Sequence, residues 1–501
     1  YYRMNFDRAG GILLHPTRLP VRYGIGHLGP QAFRFVDWLA STGCKLWQIL
    51  PLGPTGYGDS PYQCFSAFAG NPYLISFDAL IEDGLVIEDD FAGMPEFNAS
   101  RVDFGLLIPW KLGILQNAFS RLSPAPDSLQ KEFKRFCKDN AAWLDDYALF
   151  MSIKEANGGG SWSGWDESLR KRKKTALDQA RAEQSETIQR HSFYQFLFFR
   201  QWHKLRSYAH EHGLTIIGDI PIFIAYDSAD AWANPKLFFL DDESLPTVVA
   251  GVPPDYFSAT GQLWGNPLYK WSAHKKTGYE WWIERFRSVL NLVDIVRLDH
   301  FRGFAGYYEI PYGAPTAETG RWVTGPGKAF FETIYPALSR KKGETLPIIA
   351  EDLGVITDDV VDLRDSFHLP GMKILQFGFS GADNPFLPHN YLQNCVAYSG
   401  THDNDTVRGW YETAPEHERD FARRYLGTNG ENIAWDLIRS IWSSVALYAV
   451  TPMQDALDLG TEARMNFPSK LGGNWEWRMS ESDLSETLAG RLRELNQLYL
   501  R

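Results

Sequence analysis

Hydrophobic residues along the chain fall into short, continuous apolar runs separated by stretches in which they recur every three or four positions. The continuous runs have the character of strands that are covered on both faces. They are 11–16, 45–51, 214–223, 293–299, 347–353, 372–378, 396–403 and 447–453. Eight strands alternating with helices predict a parallel α/β architecture that closes into a (β/α)8 barrel, the TIM barrel.

Helical patterns lie between these runs. One covers 30–42 and ends at Gly43, a residue typical of helix C-termini. Another covers 279–292, and Thr277 with Glu280 predicts a capping box at its start. The spacing therefore predicts strand, helix and strand in succession, as a barrel requires.

Two longer stretches interrupt the alternation. Residues 60–212 are mainly helical in pattern, which is too long for a connection and predicts an inserted helical subdomain. Residues 225–275 are rich in Pro, Gly and aromatic residues and predict a loop subdomain. We therefore expect one catalytic barrel spanning 1–501 that carries both insertions.

The composition narrows the class of protein. The chain has 501 residues, of which 44% are hydrophobic and 22% charged, as expected for a large globular core. A net charge of −11 argues against nucleic acid as a partner. Four cysteines without CxxC spacing indicate free thiols in a reducing compartment and no zinc site. No apolar run is long enough to predict a membrane span, so we expect a cytoplasmic protein, with a plastid as the alternative location.

Titratable residues stand at or near the ends of four predicted strands, namely Asp219, Asp299, Glu351 and Asp403. Because barrel chemistry sits at the carboxyl ends of the strands, we expect these side chains to converge in one cleft. Arg297 precedes Asp299 by two positions, so both point to the same side of the strand. The guanidinium favours the ionised carboxylate, as a nucleophile requires, although a structural ion pair is the alternative interpretation.

Three carboxyl groups in an aromatic-rich cleft allow two enzyme chemistries. One is a divalent metal site. The other is glycoside chemistry, in which one carboxylate attacks the anomeric carbon and a second carboxylic acid protonates the leaving oxygen. Arg297 would compete with a metal ion for the carboxylate of Asp299, which favours glycoside chemistry. The apolar run before Glu351 predicts a raised pKa, which suits a general acid.

Several motifs then point to a family. Gly-Asp-Ile-Pro-Ile around Asp219, Val-Arg-Leu-Asp-His at 296–300, Ala-Glu-Asp-Leu-Gly around Glu351 and Thr-His-Asp-Asn at 401–404 resemble the four conserved regions of the α-amylase clan. With the loops 56–63 and 253–264, the sequence is similar to the 4-α-glucanotransferases, or amylomaltases, of glycoside hydrolase family 77. The resemblance runs from about Gly10 to the C-terminus.

The resemblance implies a role for each matched residue. Asp299 matches the nucleophile, Glu351 the general acid/base and Asp403 the third carboxylate, which holds the 2- and 3-hydroxyls of the sugar before the cleavage point. The retaining mechanism implies that the first two carboxyl groups lie about 5–5.5 Å apart. The substrate-binding residues that it implies, some of them only weakly matched, are Tyr57, Ser60, Tyr62, Asp219, Tyr256, Phe257, Gln262, Trp264, Arg297 and His402.

Loop 253–264 resembles the family's lid over the active-site groove. Tyr256, Phe257 and Trp264 would stack on glucose rings, and Gln262 would hydrogen-bond across the groove. Such a lid would shield a covalent intermediate from water until an acceptor sugar arrives.

The function expected is transfer of α-1,4-glucan segments between maltooligosaccharides or starch chains by double displacement. An α-glucan hydrolase with the same catalytic pair, and a glucan-binding protein without activity, are the alternatives. We expect no metal and no cofactor, no nucleic acid and no membrane as partner, and a monomer or weak homo-oligomer.

Overall fold

The computed structural model describes residues 7–123, 125–255, 258–339, 345–468 and 470–501. In these ranges the strands are β1 Ala9–Leu13, β2 Leu46–Gln48, β3 Thr215–Pro221, β4 Val248–Val252, β5 Gln262–Pro267, β6 Ile295–Asp299, β7 Gly306–Pro311, β8 Arg321–Thr324, β9 Ile348–Ala350, β10 Gly371–Ile374, β11 Cys395–Tyr398 and β12 Tyr448–Pro452. The α-helices are α1 Pro30–Ser41, α2 Phe77–Glu82, α3 Phe104–Ser120, α4 Asp127–Asp139, α5 Ala141–Ala156, α6 Glu167–Arg170, α7 Lys174–Glu183, α8 Ser185–Glu211, α9 Ala229–Ala233, α10 Trp271–Lys276, α11 Glu280–Leu292, α12 Gly327–Leu338, α13 Asp358–Ser366, α14 Val407–Thr413, α15 Glu416–Leu426, α16 Ile433–Ser443, α17 Met453–Ala456 and α18 Glu486–Leu498.

Eight strands form one parallel sheet in the order β10, β11, β12, β1, β2, β3, β6, β9. The amide of Ala350 on β9 donates to the carbonyl of Pro370, next to β10, at 2.9 Å, so the two ends of the sheet meet. Each predicted strand run overlaps one of these strands. The fold is therefore the (β/α)8 barrel that the sequence predicts, with strands buried between packed interior side chains and the outer helices.

The helices before β2 and β6 illustrate how local sequence sets the element boundaries. α1 ends at Ser41, and Gly43 then takes a φ of +76°, the left-handed conformation that favours glycine. The predicted capping box before β6 is wrong. Tyr279 precedes α11 with a φ of 59° and no side-chain cap, because the Thr277 hydroxyl donates instead to the carbonyl of His274 in α10 at 3.0 Å.

The helices between β2 and β3 pack around α8, which is 27 residues long. α8 buries a row of aromatic side chains, among them Phe193, Phe198 and Trp202, against α1, α3, α4 and α5. These side chains belong to the same hydrophobic cluster as the barrel strands. The core therefore continues from the barrel into this helical region, and the exposed rim of the barrel is left to the loops.

A second sheet, which the sequence analysis does not predict, stands beside the barrel. It is antiparallel, in the order β5, β4, β7, β8. A 3-10 turn, Phe301–Phe304, joins its strand β7 directly to the end of β6, and β5 carries Gln262 and Trp264. The sheet thus rises from the carboxyl edge of the barrel at the point where the predicted nucleophile lies.

Candidate active site

Three charged side chains form a network of ion pairs that runs from β3 to β6. The parallel register places Asp219 opposite Arg297. Arg297 donates from Nη1 to Oδ2 of Asp219 at 2.8 Å and pairs through Nη2 with Oδ1 of Asp299 at 2.9 Å. Asp219 and Arg297 are buried, whereas the Asp299 side chain is 27% exposed. The predicted pairing of Arg297 with Asp299 is confirmed, and Asp299 faces the cleft.

Burial and the neighbouring charges shift the pKa values of Asp219 and Arg297 in this network. Burial raises the pKa of Asp219 to about 6, although Arg297 acts against that shift. Burial opposes the charge of Arg297, yet the two carboxylates hold its pKa well above the usual value. Tyr62 donates its hydroxyl to Oδ2 of Asp219 at 3.1 Å. Arg297 is therefore a fixed cation between two acids.

Glu351 follows β9 and is held by two backbone amides. The amide of His300 donates to Oε2 at 2.7 Å, and that of Leu353 donates to Oε1 at 2.8 Å. His300 reaches this position with a φ of 51°, in the left-handed region. Burial raises the pKa of Glu351 to about 7, the Asp299 charge adds to the shift, and Arg297 opposes it. The raised pKa is the direction that the sequence predicts.

Asp403 lies beyond β11 in a different environment. Asn466 donates from Nδ2 to Oδ1 at 2.8 Å, and Nε2 of His402 is 3.4 Å from Oδ2. Burial alone raises the pKa of Asp403, but His402, Asn466 and Arg297 together hold it well below the ordinary value. Arg464 also donates from Nη2 to the Asp403 carbonyl at 2.7 Å. The third carboxyl group is thus ionised and fixed by side chain and backbone.

Aromatic rings line the side of the cleft next to Asp403. The ring of Tyr62 stacks on that of His402 with centroids 4.9 Å apart and planes at 14°. Trp475 lies 5.9 Å from both rings. Sequence reasoning missed Trp475, Asn466 and Arg464, which come from an irregular segment without strand or helix periodicity. The Gly-Gly-Asn-Trp run at 472–475 is the local signal that marks this segment.

The structure places the described part of the predicted lid next to β6. The Trp264 ring meets the His300 ring in a T-shaped contact at 4.8 Å, and Trp264 Nε1 donates to Oε1 of Gln262 at 3.1 Å. Tyr256 and Phe257, also predicted as lid residues, lie outside the described residues.

The two remaining predicted contacts belong to the loop after β2. Oγ of Ser60 accepts a hydrogen bond from the amide of Tyr62 at 3.2 Å, so this hydroxyl shapes the loop. Tyr57 is 75% exposed. In the described ranges no group of three or more His, Cys, Asp or Glu side chains is arranged to hold a metal ion. None of the helices in those ranges is long and apolar enough to cross a membrane.

A barrel with a partly exposed carboxylate, a buried carboxyl group of raised pKa and a third, ionised carboxylate has the groups used by the class of enzymes that cleave glycosidic bonds. Residues 14–484 match the family model for 4-alpha-glucanotransferase, glycoside hydrolase family 77. The chain belongs to the 4-α-glucanotransferase family, and its activity is that of a 4-α-glucanotransferase. The expected function is thereby confirmed.

Relatives from distant organisms carry the same name. The 4-alpha-glucanotransferase of Thermus thermophilus is 51% identical over 98% of this chain and 99% of its own length. The chloroplastic/amyloplastic 4-alpha-glucanotransferase of Arabidopsis thaliana is 47% identical, covering 98% of this chain and 85% of that protein.

Solved structures agree. The amylomaltase from Streptococcus agalactiae in complex with acarbose is 40% identical, with a TM-score of 0.95 over 99% of this chain and 100% of that one. The amylomaltase from Corynebacterium glutamicum, 18% identical with a TM-score of 0.79 over 97% of this chain and 75% of that one, shares the fold. Neither alternative, hydrolase or inactive binding protein, is favoured by these matches.

Proposed function

We propose that Asp299 and Glu351 carry glucan transfer by a retaining double displacement between maltooligosaccharides or starch chains. One observation carries this assignment. Neighbouring strands β6 and β9 bring together an ion-paired, partly exposed Asp299 and a buried Glu351 whose pKa is raised to about 7. A buried carboxyl group of raised pKa suits a general acid, and a partly exposed carboxylate held by a guanidinium suits a nucleophile.

In the first step the Asp299 carboxylate attacks the anomeric carbon of the donor chain. The carboxyl group of Glu351 gives its proton to the glycosidic oxygen, so the leaving chain departs with a free 4-hydroxyl and a glucosyl ester remains on Asp299. In the second step the Glu351 carboxylate takes the proton of an acceptor 4-hydroxyl. The acceptor oxygen attacks the anomeric carbon, Asp299 is released, and the configuration of the donor is retained.

The sugar at the cleavage point is held by the remaining polar groups. The ionised carboxylate of Asp403 accepts hydrogen bonds from two neighbouring hydroxyls, and its fixed orientation lowers the cost of positioning them. Asp219, Arg297 and His402 complete the polar surroundings, with the Tyr62 ring as the apolar platform beneath the sugar.

The lid decides between transfer and hydrolysis. Trp264 packs against His300, the residue after Asp299, and therefore restricts the access of water to the glucosyl ester. Tyr256 and Phe257, which lie outside the described residues, belong to the same proposed lid. We expect Trp264→Ala to raise hydrolysis relative to transfer, whereas Leu263→Ala on the same strand is the matched control. Equal losses of both reactions would contradict the lid.

Incubation with maltotriose tests the proposed function. Transfer yields longer oligomers together with glucose and leaves the number of reducing ends constant, whereas hydrolysis gives shorter sugars and a net rise in reducing ends. Glu351→Gln with an activated donor, whose leaving group needs no proton, should accumulate a glucosyl ester. A label on any residue other than Asp299, or a product of inverted configuration, would overturn the assignment.

The proposal also includes the substrates, the cellular location and the oligomeric state of the protein. The substrates are α-1,4-glucans, and acarbose, present in the Streptococcus agalactiae complex, should compete with them. The named relatives include bacterial and chloroplastic/amyloplastic enzymes, which supports a bacterial cytoplasm or a plastid as the location. Sedimentation at several concentrations tests the expected monomer or weak homo-oligomer.

A further inference from the structure

An exposed aromatic residue stands beside the catalytic rim without a part in the chemistry described above. Trp322, on β8 of the antiparallel sheet, is 44% exposed. The Arg302 guanidinium lies over the indole ring with its central carbon 4.0 Å from the centroid, and the Tyr308 ring meets it in a T-shaped contact at 5.3 Å. The indole is therefore held in one orientation although much of it faces solvent.

We propose that Trp322, backed by Arg302, is a binding platform for an α-glucan chain outside the pocket of the three carboxyl groups. This inference rests on the proposed function only in that the ligand is the same glucan. The faces of sugar rings are apolar and their edges carry hydroxyls, so a fixed, exposed aromatic ring is a suitable surface for them.

The supporting guanidinium has no carboxylate contact among the described residues. Arg302 is buried, its Nε has no hydrogen-bond partner there, and Nη1 donates to the carbonyl of Val355. Burial lowers the pKa of Arg302, so the protein bears a cost for placing this group under the ring.

The platform is continuous with the catalytic rim. Arg302 follows Asp299 by three residues, so their Cα atoms lie at most about 11 Å apart. Val355, which accepts the Arg302 hydrogen bond, follows Glu351 by four residues and is 61% exposed. Trp322 and Val355 are therefore the exposed parts of one surface, joined by the buried Arg302, whose Cα atom lies within about 11 Å of that of Asp299. This surface fits sugar units of the same chain beyond the one being cleaved.

The experiment compares Trp322→Ala with Tyr312→Ala, a matched control that removes an aromatic residue 52% exposed near the far end of β7. Binding is measured by retardation in native gels containing glycogen or amylose, which does not depend on turnover. Kinetics are measured with maltotriose and with long maltooligosaccharides. We expect Trp322→Ala to weaken retardation and raise KM for long chains about three- to tenfold. Maltotriose kinetics should stay within about twofold, and Tyr312→Ala should resemble the unmodified protein.

Other outcomes decide against the platform. Unchanged retardation of Trp322→Ala would overturn it, and so would equal losses with maltotriose and long chains, which would indicate damage to the fold or the catalytic centre. Trp322→Phe keeps an aromatic face and should restore most of the binding, whereas Trp322→Gln should not. A change of oligomeric state with unchanged glucan binding would assign the surface to a second copy of the chain. If the unmodified protein is retarded but transfers nothing, the proposed function fails while the platform stands.

Discussion

Strand β6 has an aspartate at each end, and the two residues have the same side chain in contrasting surroundings. Asp294 stands before the strand with both oxygens occupied. Arg206 Nη2 and His210 Nε2 lie 2.7 and 3.0 Å from Oδ1. His210 Nε2 and the amide of Ile216 lie 2.9 and 2.8 Å from Oδ2. At the other end, Asp299 is paired with Arg297 and 27% of its side chain is exposed.

Under the proposed mechanism, the difference separates a stabilising aspartate from a catalytic one along a single strand. The amino end of the barrel satisfies its charge with groups from α8 and β3 and ties these elements to β6. The carboxyl end leaves a carboxylate open to the cleft, next to a second carboxyl group of raised pKa. Stability at a barrel's amino edge and chemistry at its carboxyl edge are the division expected for this fold. Four substitutions test this division between stability and chemistry.

The largest effect is expected for Asp299→Asn. The amide lacks the charge and nucleophilicity to form the glucosyl ester, so the transfer rate should fall by at least about 1,000-fold. The thermal midpoint should change little, because Arg297 keeps its ion pair with Asp219 at 2.8 Å. Initial rates with maltotriose and a thermal melt measure both quantities. A rate within tenfold of the unmodified enzyme would remove Asp299 from the chemistry.

Glu351→Gln should lower the transfer rate by about 100- to 10,000-fold, the usual range for loss of a general acid or base. Because the acid must be protonated to act, activity of the unmodified enzyme should decline as the pH rises through about 7, the pKa of Glu351. The pH profile of the variant should lack this decline. A profile that keeps it would assign the titration to another group.

The raised pKa of Glu351 also predicts how the stability of the protein depends on pH. The pKa of Glu351 is raised from 4.5 to about 7 on folding, so the folded state binds the proton more tightly. The free energy of unfolding should therefore lose this contribution as the pH rises from about 4.5 to about 7. In Glu351→Gln that part of the pH dependence should be absent, which urea unfolding at several pH values measures.

Asn466→Ala should have a smaller effect, because Asn466 positions Asp403 without facing the reacting atoms. Loss of its 2.8 Å hydrogen bond should reduce kcat/KM about tenfold and raise the pKa of Asp403. The charged and titratable groups that otherwise face Asp403 are His402, Arg297, Arg464 and Tyr62.

A double-mutant cycle distinguishes positioning from general damage. In an Asp403→Asn background, Asn466→Ala should cost little more, since its effect passes through the lost carboxylate. Asn466→Asp places a second carboxylate beside Asp403, so it should raise the pKa of Asp403 further and lose more activity than the alanine variant. Additive losses in the cycle would contradict the positioning role.

These residues also show how far the sequence predicts the site. The sequence predicts the pairing of Arg297 with Asp299 because residues i and i+2 of a strand point to the same side. It predicts the raised pKa of Glu351 because an apolar run precedes that residue. Asn466 and Trp475 come from a segment without periodicity, and they reach Asp403 and His402 only through long-range packing. The Gly-Gly-Asn-Trp run at 472–475 marks the segment, but a local pattern does not show which distant residues it contacts. The sequence does not predict the antiparallel sheet for a related reason, because its short strands lie inside stretches rich in Gly, Pro and aromatic residues.

We expect Asp294→Ala to have the smallest effect on activity. It should also show the largest difference between the loss of stability and the loss of activity. The change leaves Arg206 and the amide of Ile216 without the oxygens that they contact at 2.7 and 2.8 Å. We expect a loss of about 1–3 kcal/mol in the free energy of unfolding. Since the opposite end of β6 is untouched, kcat/KM at 25 °C should stay within about twofold. Denaturant unfolding and maltotriose kinetics on the same preparation measure the two quantities, with Asp299→Asn as the converse control. If Asp294→Ala instead abolished activity in a folded protein, the two ends of β6 would be coupled, and occupied oxygens would no longer distinguish a structural carboxylate from a catalytic one.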